Sequence, residues 1–110
     1  MAIAEAAAFV SKYLRDAGFK TASRDFERCY VISAQRSGNV YVVSISRGSM
    51  VDVYVAKVVA PELLASTEWD CETLEYSPYG FYVLERELEK LALGVLRKIE
   101  NLDRVYRSSS

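Results

Sequence analysis

The chain has 110 residues, 51% apolar and 26% charged, with a formal net charge of −1. That is the composition of one globular domain large enough to bury a core, and it excludes a disordered chain. Near-neutral charge argues against a dedicated non-specific binder of nucleic acid or membrane.

Histidine is absent. That removes the commonest general base, the commonest zinc ligand and every Ser–His or Cys–His nucleophile pair. No cofactor or metal site is expected. Charges interrupt every apolar run before it reaches membrane-span length, so no membrane association is expected. "MAIAEAAAFV" lacks a basic start and carries Glu5 early, unlike a signal peptide, and the expected address is the cytoplasm. There Cys29 and Cys71 are expected as reduced thiols, since two cysteines alone cannot complete a tetrahedral zinc site. One glutamine, two asparagines and more arginine than lysine point to a thermophilic source, where an intracellular disulfide would be less surprising.

Residues 2–17 predict an amphipathic helix, because Ile3, Ala7, Val10, Leu14 and Ala17 follow one 3–4 stripe. Gly18 suits the left-handed position after its last turn, with Phe19 folding back on Leu14. A polar connection carrying Lys20, Arg24 and Arg28 should follow. Three β-branched runs, 28–36, 39–47 and 50–58, are separated by "RSGN" and "RGSM" and predict an antiparallel meander. A two-residue first loop puts Tyr30, Ile32 and Ala34 on one face with Tyr41, Val43 and Ile45. A three-residue second loop (Gly48, Ser49, Met50) would add Val51, Val53 and Val55 to that face. The other face, with Ser33, Ser44, Ser46 and Asp52, should be polar and open. Val53→Asp is then expected to cost several kcal/mol and Ser44→Asp roughly 0.5 kcal/mol or less.

Asp52 and Lys57 invite comparison with a metal-dependent nuclease. Strand alternation sends them to opposite sides, and Val55 stands where a second acid is needed. They read as structural, with Asp52 opposite Ser46 and Lys57 extending from the sheet's rim. "PELLAS", starting at Pro61, predicts a short helix. "EWDCETLEY" alternates as a fourth strand would, its acids suiting a sheet edge. From Ser77-Pro78 to about Tyr106 one long helix is expected, with Leu84, Leu88, Leu91, Val95, Ile99, Leu102 and Tyr106 as its core stripe.

The expected fold is α+β, a two-layer sandwich of an antiparallel three- to four-stranded meander sheet. The N-terminal and long C-terminal helices lie on one face, in the order α-β-β-β-(short α)-β-α. Residues 1–107 form one domain and 108–110 a disordered tail. Double-stranded-RNA-binding domains share the order of first helix, meander and final helix. They carry a basic glycine-lysine segment at the last helix's start, where this chain has the acidic "SPYGFYVLERELEK". No family is assigned on topology alone.

The leading functional expectation is a non-catalytic interaction module that forms a homodimer. Tyr82, Leu93 and Leu96 fall off the core stripe of the long helix and are its candidate interface, with Gly94 allowing close approach. A protein partner is compatible with the same reading. A nucleic-acid-binding alternative uses Lys20, Arg24, Arg28, Arg36 and Arg47. A third reading, a metal-dependent enzyme, would need Asp52 or the Glu68–Glu75 acids.

Overall fold

The computed structural model describes residues 3–48, 53–61, 69–78 and 80–107, with backbone alone at 105–107. Helix α1 (Ile3–Asp16) buries Ala6, Ala7, Val10, Ser11 and Leu14 on one face. It ends as its sequence directs: Gly18 adopts φ +94°. The Phe19 and Gly18 N–H groups donate to the Leu14 and Arg15 carbonyls, both at 3.0 Å, closing the last turn.

The expected polar connection is instead strand β1 (Lys20–Asp25), paired antiparallel with β2 (Tyr30–Arg36). β1 is an edge strand whose residues are almost all exposed. Its side chains therefore show no apolar alternation, and pairing with β2 alone makes it a strand. β2 and β3 (Asn39–Arg47) form the expected hairpin around Ser37 and Gly38, both at positive φ. Ile32 faces Val43 and Ala34 faces Tyr41, so the predicted register holds.

The next hairpin departs from expectation. β4 (Tyr54–Val59) pairs Arg47 with Tyr54, Ile45 with Ala56 and Val43 with Val58, and the Gly48 N–H donates to the Val53 carbonyl at 2.9 Å. The loop is longer than three residues. Tyr54, Ala56 and Val58 take the main core face, and Val55 goes to the other side with Lys57 and Val59. Expectation failed here because β4 is covered on both faces, so burying apolar side chains does not select a parity. Val53 is only half-buried, whereas Ser44 is buried. The two expected substitution costs therefore lose their basis. Asp52, the "PELLAS" helix after Pro61 and the 108–110 tail lie outside the described residues.

"CETLE" is helix α2 (Cys71–Glu75), not a strand. Asp70 caps it by accepting the Thr73 N–H at 2.8 Å, and Cys71 and Leu74, three apart, face inward. "FYVLE" is strand β5 (Phe81–Glu85), antiparallel to β4, and α3 runs only from Leu88 to Arg107. Leu84, expected in the core stripe, is 59% exposed, while Leu91, Val95, Ile99 and Leu102 are buried as expected. Tyr106 carries no described side chain.

The fold is thus α+β, with one antiparallel sheet of five strands in the order β1-β2-β3-β4-β5 rather than three or four. α1 and α3 pack together on one face over the main core, as expected. Near the end of α3, Asp103 accepts hydrogen bonds from Tyr41 and Asn39 on β3. The second face is not open. α2 covers part of it over a smaller core of Cys29, Val31, Val42, Val59, Cys71 and Leu74, flanked by Phe26 and Trp69. Cys29 and Cys71 are joined in a disulfide within this core, so the expectation of reduced thiols is overturned.

Candidate functional site

Clefts open on the α2 side of the sheet, among them two of similar size. The first, about 510 Å3, is lined by Arg28, Ser44, Ser46, Arg47, Val55, Lys57, Glu75, Tyr76 and Tyr82. Strand alternation brings Ser44, Ser46, Val55 and Lys57 to this face, because Ser44 pairs with Lys57 and Ser46 with Val55. The next rung sets Tyr82 beside Lys57.

Lys57 is the structural pivot of this cleft. Only 3% exposed, its ammonium donates to the carbonyls of Ser77 and, at 3.5 Å, Glu75. It also lies 4.8 Å from the Tyr82 ring centroid. The Tyr82 hydroxyl donates to the same Glu75 carbonyl at 2.9 Å. Two side chains from the sheet therefore donate to carbonyls at the end of α2 and just beyond it. Burial holds the Lys57 pKa below the ordinary lysine value. Lys57 does not extend from the rim, as its sequence position suggested; α2 covers it.

Two arginines, Arg28 and Arg47, also line this cleft. Arg28 approaches Glu75 at 3.9 Å with both side chains partly exposed, a geometry that holds little energy. Arg47 lines the cleft as a residue, while its guanidinium stacks 5.1 Å from the ring centroid of Tyr54 on the main-core side of the sheet. Tyr76 stands 81% exposed beside them.

The second cleft, about 520 Å3, lies between β1, β2 and Trp69 and is lined by Ala22, Arg24, Phe26, Val31, Ser33, Trp69 and Asp70. Arg24 sits 5.0 Å from the Phe26 ring centroid. The Thr73 backbone N–H and then its hydroxyl hold the Asp70 carboxyl below its ordinary pKa, so this acid is committed to capping α2.

The five basic candidates are thus divided. Arg28 and Arg47 line one cleft and Arg24 lines the other. Lys20 is exposed on β1. Arg36 lies over the Phe19 ring at 4.1 Å and donates to the Ala17 carbonyl at 2.9 Å, where it fastens α1 to the sheet. Tyr82, Leu93 and Leu96 do not form one flank. Tyr82 belongs to β5 and the α2 side, whereas Leu96 packs on the main core and Leu93 is exposed on α3. Gly94 serves a contact within the chain: a Cβ there would lie 2.7 Å from Val83 Cγ1. Asp52 and Glu68 lie outside the described residues. Among the described residues no three of His, Cys, Asp and Glu gather as a metal site requires.

A second face expected to be polar and open leaves Ser44, Ser46 and Tyr76 out of any candidate site, whereas α2 makes them part of a cleft. One signal was present in the sequence: a lone lysine inside the apolar run "YVAKVV" implies a buried partner. Also among the described residues, no helix is long and apolar enough to cross a membrane. No family model, curated protein or solved structure matches this chain.

Proposed function

We propose that this protein is a non-catalytic binding module that takes an anionic group into the cleft between α2, β3 and β4. One observation carries the reading. Arg28 and Arg47 both line a cleft with Ser44 and Ser46, where Glu75 is the one carboxylate among the lining residues. Guanidinium groups with neighbouring hydroxyls suit the planar oxygens of carboxylate or phosphate. Lys57 is already engaged with backbone carbonyls, so the arginines supply the ligand's charge. The reading is non-catalytic because the Lys57 ammonium, the one amine beside the Ser44 hydroxyl, is held by backbone carbonyls rather than turned to a serine.

Exposed Tyr76 beside these cations favours one second reading, a single nucleic-acid strand stacking on the aromatic face. Both are tested by NMR titration of the chain with pyrophosphate and with a short single-stranded oligonucleotide at low and high salt. We expect saturable shifts around Ser44, Ser46 and Tyr82 with pyrophosphate, lost in Arg47→Glu. Tighter, steeply salt-dependent binding of the oligonucleotide would favour the second reading. Absence of saturation by either probe at millimolar concentration would end both.

The Cys29–Cys71 bond constrains the setting. Disulfides persist in oxidising compartments and inside some hyperthermophiles, so a cytoplasmic address stands only together with the thermophilic source suggested by composition.

A further inference from the structure

The two edges of the sheet differ in kind. β1 closes one side with Lys20, Arg24 and Asp25 on a wet, polar strand, a composition that discourages pairing with another chain. β5 closes the other side with Phe81, Tyr82 and Leu84, which are 37%, 50% and 59% exposed. Glu85 is its only charge. An exposed apolar edge strand presents backbone donors and acceptors together with side chains that gain from being covered.

We propose that β5 pairs antiparallel with β5 of a second copy of this chain, about a two-fold axis through Val83, so that the two sheets run on as one. This goes beyond the ligand reading and does not depend on it. Symmetry sets the register. A two-fold axis normal to the sheet keeps the α1–α3 layers of both copies on one side and matches residues of like parity. Centring on Val83 uses every residue of the strand. Tyr82 then lies opposite Leu84 of the second copy, and the reverse, so two exposed apolar side chains cover each other twice.

Charge complementarity identifies the occupant as a copy of this chain. In that register Phe81 lies opposite Glu85 of the second copy. Both residues face the helix layer, since Phe81 pairs with Val58 and Glu85 with Tyr54, two members of the main core. The Lys98 ammonium of α3 already sits 5.3 Å from the Phe81 ring centroid. Each Lys98 therefore meets Glu85 of the other copy. An unrelated extended segment could satisfy the backbone edge but would have no reason to match Lys98.

Sedimentation of the whole chain over a concentration series tests the proposal. The expected species is twice 12.4 kDa, dissociating at micromolar concentrations because pairing of one short strand makes a small interface. Leu84→Lys, Glu85→Lys and Lys98→Glu change residues that are not buried, and circular dichroism checks that each variant folds. Each should weaken association about tenfold or more, and Glu85→Lys with Lys98→Glu together should restore it. A monomeric wild type at about 100 μM, well above the range of a weak specific pair, overturns the proposal. So does a dimer indifferent to Leu84→Lys, or a double variant no tighter than either single one.

Discussion

Lys57 stands in the strand "YVAKVV" with apolar residues on both sides, and its ammonium reaches the end of α2 rather than water. Two effects oppose each other there. Burial disfavours the charge, while the carbonyls of Glu75 and Ser77 favour it. Charge-assisted hydrogen bonds contribute about 1.5–3 kcal/mol, and removing the donor takes one from the Ser77 carbonyl while the Glu75 carbonyl keeps its bond from Tyr82. Lys57→Met should therefore cost about 1–3 kcal/mol at neutral pH in chemical denaturation. The lowered pKa adds a pH signature. Below that lowered value, both folded and unfolded states hold the proton and the penalty for burying the charge is complete. Between it and the ordinary value of about 10.4, the unfolded state binds more protons, so stability contributed at this site rises with pH. The difference between wild type and Lys57→Met should grow across that alkaline window. A flat difference would show that the ammonium is solvated after all.

Among elements, α3 sits close on β5, with a Cβ at Gly94 falling 2.7 Å from Val83 Cγ1. Ala is favoured over Gly in a helix by about 1 kcal/mol, yet forcing a methyl into filled space costs about 1–3 kcal/mol. Gly94→Ala should therefore destabilise by about 1 kcal/mol. In a Val83→Ala background the space is open, and the same substitution should become neutral or stabilising. A double-mutant cycle reads this reversal. An equal effect in both backgrounds would mean that α3 relaxes away from the strand at no cost.

The same elements show where sequence was informative. α1, its Gly18 cap and the β2–β3 register were legible because periodicity, turn residues and burial agree there. β1 was hidden because an exposed edge needs no apolar face. α2 was read as a strand because Cys71 and Thr73 happen to alternate around a helix of only five residues. β5 was absorbed into α3 because Leu84, Leu88 and Leu91 continue a helical spacing, and only pairing with β4 decides otherwise. The candidate site was less legible than the fold. Arg28 and Arg47 can be named from the sequence, but the cleft they line depends on α2 covering a face expected to be open.

At the scale of the whole molecule, the Cys29–Cys71 bond fastens α2 to the sheet across a sequence separation of 42. A loop of that length is worth about 3–4 kcal/mol in the chain-entropy account. The oxidised protein should be two daltons lighter than the reduced one and more stable by about that amount in denaturant. Equal stability of the two forms would show that Val42, Val59 and Leu74 hold α2 without help. The strand order carries a kinetic consequence. Every pairing in the sheet joins strands that follow one another along the chain, so each β–β step closes a modest loop and can form early. Other junctions must wait for distant segments, among them α1 against α3, Asp103 of α3 against β3, and Cys29 to Cys71. The last events of folding are then the closing of the chain's two ends on each other and the fastening of its second face.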